Sequence, residues 1–216
     1  MAKVKKIDLS MELPKTRGNP QNHPKKGSTT VVQPIRSMAD IQVIKNRIID
    51  NLRDRLLFVL GVNNGLRTND LLCLKVGQVK WLKPGDEITI KESKTKKDNI
   101  LVICDSVYKV LKEYLTEENF ADGDYLFRSR KGGNKPITIQ TVNALIKKWT
   151  KAINLKENYG CHSLRKTWGY IQRIHYGVGF ELIAKRFNHS NPSVTMRYLG
   201  IRDKEVINLL VNNEVG

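Results

Sequence analysis

Cysteine is scarce in this 216-residue sequence, and its three copies, Cys73, Cys104 and Cys161, lie far apart with no CxxC pair. An odd, scattered set excludes a disulfide framework or a cysteine zinc site and fits free thiols in a reducing compartment. Long apolar runs are also missing: the longest, 56–62 and 100–104, fall well short of the about 20 residues a membrane-crossing helix needs. The amino terminus carries no apolar signal core, so the expected location is the cytoplasm, with no membrane partner. Acidic residues are few, 21 against 38 Lys and Arg, and no carboxylate cluster suited to a divalent ion stands out. No metal and no cofactor is therefore expected. No internal repeat is visible.

What is present suits one folded domain that binds a polyanion. A hydrophobic share of 40% is ordinary for a globular protein, and the length allows one well-buried core. The net charge of +17 favours nucleic acid, because each phosphate neutralised releases counterions. Charge by itself is equally compatible with a non-catalytic DNA- or RNA-binding protein.

Residues 1–36 hold eight basic side chains against Asp8 and Glu12, and Pro14, Pro20, Pro24 and Pro34 interrupt them. No long helix or central strand fits such a segment, which reads as a basic arm, linker or solvated tail. From residue 37 onward the pattern is mainly helical. Ser37 caps a helix carrying Ile41, Ile44, Ile48 and Ile49 at spacings of three and four. A second helix with Leu52, Leu56, Val59 and Leu60 stops at Asn63-Asn64-Gly65, and Thr68 or Asn69 opens a short third. The stretches 87–93 and 99–104 alternate like half-buried strands and flank a basic tip, Lys94-Thr95-Lys96-Lys97-Asp98, so they form a hairpin. Further helices carry Val107 to Leu115, Val142 to Ile153, Ser163 to Tyr176 and Phe180 to Phe187. Asn191-Pro192 then starts the helix that holds Tyr198. The expected fold class is mainly α with one small antiparallel β-hairpin or sheet.

Near the carboxyl end stand Cys161-His162-Ser163-Leu164-Arg165, then Asn188-His189, then Met196-Arg197-Tyr198-Leu199-Gly200. His162 and Arg165, three apart at a helix start, share one face, where a guanidinium fork beside helix amides suits phosphate oxygens. Leu164, Trp168, Ile171 and Ile174 form the opposite, apolar face. Upstream, Gly65-Leu66-Arg67 with Asp70 three residues on supplies a second arginine, and Ser93-Lys94-Thr95 a lysine. Two such forks neutralise a charged phosphorane-like transition state, each donor worth roughly 10²–10³ in rate. A tyrosine with a pKa of about 10 needs nearby cations or a base to attack at neutral pH. Any one of the seven tyrosines is more often a half-buried core residue; order and spacing together single out Tyr198.

The order Arg, Lys, His-x-x-Arg, His, Tyr resembles the catalytic domain of tyrosine recombinases, the phage integrase family, from about Arg36 to the end. In that family the second histidine precedes the tyrosine by nine positions, as His189 precedes Tyr198. The resemblance implies an integrase-like α+β catalytic core over 37–216; usual members carry a separate core-binding domain ahead of it, whereas here the expectation is only the basic segment 1–36 and no such domain. It implies an enzyme of mobile genetic elements or chromosome maintenance that cuts and rejoins double-stranded DNA through a 3′-phosphotyrosyl intermediate, without metal or ATP. Tyr198 would be the nucleophile. Arg67 and Arg165 would clamp the phosphate, His162 and His189 would hydrogen-bond it, and Asp70 would support Arg67. The hairpin lysine would protonate the leaving oxygen; the Ser-Lys-Thr context favours Lys94, with Lys96 and Lys97 open. Lys91, Lys96, Lys97, Lys166 and Arg197 are expected to contact DNA, where the enzyme self-associates as a tetramer and is nucleoid-associated. Asp70 stands where the family more often has glutamate, and Asn188 where it usually has glycine. Type IB topoisomerases share the constellation, so DNA relaxation is the alternative within the same chemistry.

Overall fold

A computed structural model describes residues 5–7, 31–117, 119–201 and 211, with the backbone alone for 5–7. The question of arm or tail therefore lies mostly outside the described residues. Within that segment a three-residue strand, β1 (Lys5–Ile7), is compatible with the proline-broken composition because it is short and sits at a sheet edge.

Ser37 opens α1 (Met38–Val43), its hydroxyl accepting from the Asp40 amide at 3.2 Å. The isoleucine spacing predicts a regular helix onward, but the chain widens into a π-helical turn over Ile44–Ile48, closed by the Ile49 amide donating to the Ile44 carbonyl. That turn points Ile44 and Ile49, five residues apart, into the core together and leaves Ile48 half-buried. Next comes α2 (Leu52–Asn64), capped by the Asn51 side chain. Leu56, Leu57, Phe58, Val59 and Leu60 are all buried, as in a helix covered on nearly every side. It lies between α5 (Asp105–Glu117) and α7 (Cys161–Ile174). The helix ends as its glycine predicts, with Gly65 left-handed at φ +60°.

Arg67 directly precedes α3 (Thr68–Leu72), and the one-turn α4 (Val76–Val79) follows, too short to show a helical period in sequence. Strands β2 (Glu87–Lys91) and β3 (Asp98–Val102) pair antiparallel, Ile88 opposite Leu101 and Ile90 opposite Asn99. The hairpin is as predicted, but β1 adds a parallel partner to the other edge of β2, so the sheet is mixed, in the order β1-β2-β3.

Thr138 caps α6 (Ile139–Ala152). Helix α7 begins two residues before the expected Ser163, because Ser163 serves its first turn instead, its Oγ accepting from the Gly160 amide at 3.0 Å. Asn188, at φ +52°, ends α8 (Phe180–Phe187) in the left-handed conformation that the usual glycine would adopt. Asn191 caps α9 (Pro192–Leu199), with Pro192 in the first turn.

A large apolar core joins the helices to the inner face of the hairpin, and a small satellite of Ile183, Phe187 and Leu199 holds α8 and α9 to α7. Gly169 permits that docking: a Cβ there would stand 2.7 Å from the Phe187 ring. On α7, Leu164 and Ile171 are buried as expected, but Trp168 is half-buried and Ile174 is exposed. A last apolar set in the sequence, Val206, Ile207, Leu209 and Leu210, lies outside the described residues, and Val211 is exposed.

Candidate active site

Tyr198 occupies the last turn of α9, its ring edge-on to His189 and Phe187 with centroids 5.2 and 5.5 Å away. Its hydroxyl oxygen is buried and has no well-aligned hydrogen-bond partner among the described residues. Burial pushes the phenol up to about 12, against the opposing pull of the Arg165 and Arg67 charges. The oxygen is thus buried where two guanidinium charges act on it.

Arg165 is only 2% exposed. Its Nη1 donates to the Gly65 carbonyl at 2.9 Å and its Nη2 to the Phe187 carbonyl at 2.6 Å, while its plane lies 4.3 Å from the Phe187 ring centroid. One guanidinium therefore ties the end of α2 to the end of α8. Burial lowers its pKa to about 10, a shift that Tyr198 opposes, so the group stays cationic at neutral pH. On the face they share, His162 is exposed and Arg165 is buried.

Arg67 is the second cation. Its Nη1 forms an ion pair with Oε2 of Glu92, a carboxylate with no exposed surface. Burial pushes Glu92 up, yet hydrogen bonds from Arg67, Thr95 and Asn99 outweigh it and leave its pKa below the usual carboxylate range. Asp70, expected to support Arg67, places its hydrogen bonds on Ser93, its Oδ1 accepting from the amide at 2.9 Å and the hydroxyl at 2.8 Å, while the Arg67 charge still acts on it. Burial raises the Asp70 pKa despite those two bonds.

His189 Nδ1 lies 2.9 Å from Thr195 Oγ1, a hydroxyl with no exposed surface, which leaves Nε2 for a ligand. Burial, then the charges of Arg165 and Arg67, lower the His189 pKa to about 4, so its ring is neutral at pH 7. Partial desolvation lowers His162 as well, followed by the charges of Arg165, Lys94, Lys166 and Arg67. Of the three hairpin lysines, Lys94 is the one whose charge acts on His162; Lys96 and Lys97 are exposed, with Lys96 left-handed at φ +57°. The charges of Arg67 and Arg165 act on Tyr198 and His189, and those of Arg165, Lys94 and Arg67 on His162, which links groups carried by α3's start, the hairpin tip, α7 and the α8–α9 pair.

Among the expected DNA contacts, Lys96, Lys97 and Arg197 are exposed and Lys91 is half-buried. Lys166 differs: it is 6% exposed, with its ammonium 4.9 Å from the centroid of the Tyr198 ring. Its burial against the tyrosine ring differs from the surface position that a DNA contact would take.

Four supporting residues escaped the sequence reading: Glu92, Thr195, Asn99 and Arg186. Arg186 donates from Nη1 to Asn99 Oδ1 at 2.7 Å and from Nε to the Asn64 carbonyl at 2.8 Å, stapling α8 to the hairpin and to α2. Glu92 had a visible signal, because Ile88, Ile90 and Glu92 occupy alternate positions and a carboxylate on that buried side needs a partner.

The family model of the phage integrase family matches residues 24–205. The chain is similar to the probable integrase/recombinase YoeC of Bacillus subtilis (strain 168), 38% identical over 175 residues, which cover 79% of this chain and 91% of that protein. It spans only about half the length of several other curated relatives, among them the tyrosine recombinases of Pseudothermotoga lettingae and Thermosipho africanus. Among solved structures, XerA recombinase superposes with a TM-score of 0.68 at 18% identity, covering 88% of this chain and 68% of that one. XerH site-specific recombinase, in a post-cleavage complex with palindromic difH substrate, gives 0.67 at 20% identity, covering 84% and 53%.

Proposed function

The chain belongs to the phage integrase family, and from that premise we propose that it cuts and rejoins double-stranded DNA, with Tyr198 as the attacking group. One observation supports the reading: the Tyr198 hydroxyl is buried where the charges of the Arg165 and Arg67 guanidinium groups act on it, all within one chain. A phenol placed there meets a phosphate already flanked by the charges that stabilise a pentacovalent transition state.

Tyr198 Oη attacks the scissile phosphorus as its proton passes to His162, the exposed base at the mouth of the site. The bond to the 5′-oxygen breaks, Lys94 protonates that oxygen, and a 3′-phosphotyrosyl link and a 5′-hydroxyl result. Arg67 and Arg165 hold the non-bridging oxygens, and neutral His189 donates from Nε2 when Thr195 donates to its Nδ1. Attack by a 5′-hydroxyl of a partner duplex reverses these steps. Bond energy is kept in the phosphotyrosyl ester, so nucleotide hydrolysis has no place in the cycle. The guanidinium groups supply the charge that a divalent ion would otherwise provide.

Strand exchange between duplexes, over simple relaxation, is favoured by the relatives' names as integrase and recombinase. Exposed Lys96, Lys97 and Arg197 contact the DNA backbone, and two or more copies assemble on DNA to bring partner strands together. Among the described residues no helix is long and apolar enough to cross a membrane, and the cytoplasmic nucleoid is the proposed place of action. The test is transfer of a labelled strand from one duplex to another, with magnesium chelated. Transfer by the unaltered chain and none by Tyr198→Phe supports the reading. Retention of DNA without any strand transfer or covalent adduct overturns it.

A further inference from the structure

Lys94 lies on the exposed tip of the hairpin, a place where a long side chain is free to wander. Its two neighbours are not free. Ser93 gives both its amide and its hydroxyl to Asp70 Oδ1, and the Thr95 hydroxyl donates to Glu92 Oε2. The backbone closes the same turn twice, the Lys96 amide donating to the Glu92 carbonyl and the Glu92 amide to the Lys97 carbonyl, each at 2.9 Å. Buried carboxylates thus pin the chain on both sides of Lys94.

Glu92 has a second attachment. The same Oε2 that accepts from Thr95 faces Arg67 Nη1, while Oε1 accepts from Asn99 Nδ2 at 2.9 Å. Asn99 is itself held by Arg186 of α8, the helix that leads to His189 and Tyr198. A buried carboxylate is costly, and an apolar side chain of similar size is often as stable in such a place or more so. A stability role therefore leaves the choice of glutamate unexplained, whereas a geometric role accounts for it.

We infer that Glu92 is a positioning residue that sets two catalytic groups at once, holding Arg67 against the scissile phosphate and fixing the turn that presents Lys94 to the leaving oxygen. The inference rests on the proposed phosphotyrosyl chemistry. Loss of the carboxylate then damages leaving-group protonation as well as phosphate binding, although Glu92 touches neither DNA oxygen.

The leaving group separates the two effects. A pool of nicked duplexes with randomised bases around one scissile phosphate is prepared in two forms, one with the ordinary 5′-oxygen and one with a 5′-bridging sulfur. Sulfur leaves without protonation, so it bypasses a misplaced general acid. On the oxygen pool, Glu92→Gln is expected to form covalent adduct about 10²-fold more slowly, the lower range of a general acid's contribution. On the sulfur pool it is expected to recover at least tenfold of that loss, as Lys94→Ala does and Arg67→Ala does not. Thr95→Val cuts the link to the turn while leaving the Arg67 pair, and is expected to show a smaller loss with the same sulfur recovery.

Adduct formation by Glu92→Gln at the unaltered rate overturns the inference. Equal losses on oxygen and sulfur for both Glu92→Gln and Thr95→Val also overturn it, since the carboxylate would then serve Arg67 alone. Failure of the unaltered chain to form adduct on either pool counts against the phosphotyrosyl chemistry itself, which distinguishes the two failures.

Discussion

Thr195 Oγ1 and His189 Nδ1 stand 2.9 Å apart, the hydroxyl fully buried in α9 and the ring half-buried just after α8. This bond selects which imidazole nitrogen faces the site. When the hydroxyl donates, the proton resides on Nε2 and points outward to a phosphate oxygen. Outer partners that orient a histidine in this way are typically worth about 10- to 100-fold in function. Thr195→Val, similar in shape but unable to donate, is expected to slow adduct formation by about tenfold or more with DNA retention unchanged. Thr195→Ser is expected to restore most of the rate. Equal rates for the valine and serine variants in a quenched time course would count against the tautomer role.

The depressed pKa of His189 has a consequence for stability. Burial and neighbouring arginines hold the folded ring neutral down to about pH 4, whereas an unfolded chain protonates it near 6.5. The unfolded state therefore takes up a proton first as pH falls. The contribution is fully present above pH 6.5 and is lost progressively between there and about 4. His162, also lowered, acts in the same direction. Thermal unfolding is expected at lower temperature at pH 5 than at pH 7, with a shallower dependence in His189→Gln. An identical slope in the variant would contradict the depressed value.

Gly169 is the point where α7 admits the small apolar cluster beneath the tyrosine. A Cβ at this position would meet the Phe187 ring at 2.7 Å and Leu199 Cδ2 at 2.9 Å, both fully buried in the cluster that holds α8 and α9. Overpacking of this kind typically costs about 1–3 kcal/mol. Gly169→Ala is expected to lower the unfolding midpoint and to reduce adduct formation more than DNA retention, because His189 and Tyr198 shift while the hairpin stays. Full cleavage activity in Gly169→Ala would show that the cluster tolerates displacement.

The parts of this molecule that are legible in its sequence are those decided within a few residues. Ser37, Gly65, Thr138 and Asn191-Pro192 each satisfy or terminate a helix by local hydrogen bonds and dihedral preference, and all four act where expected. The positions of Arg67, Arg165, His189 and Tyr198 are legible for a different reason, since their order and spacing match a family pattern. What stays hidden depends on contacts across the chain. Arg186 reads as an ordinary base in the last turn of a helix, and only the fold shows it bonding Asn64 and Asn99. Lys166 reads as a surface cation because α7's rotation, set by Leu164 and Ile171, is fixed by packing. Asp70 and Arg67, three apart, look like natural partners, yet the hairpin brings Glu92 to the arginine and Ser93 to the aspartate.

The central claim is that the phenolic oxygen of Tyr198 becomes bonded to phosphorus. The most direct measurement is peptide mapping by mass spectrometry after the protein is trapped on a nicked duplex pool with magnesium chelated and the DNA is digested. The predicted result is a nucleotide mass on the peptide containing Tyr198, absent from Tyr198→Phe. A nucleotide adduct on another residue, or undiminished adduct in Tyr198→Phe, would contradict it.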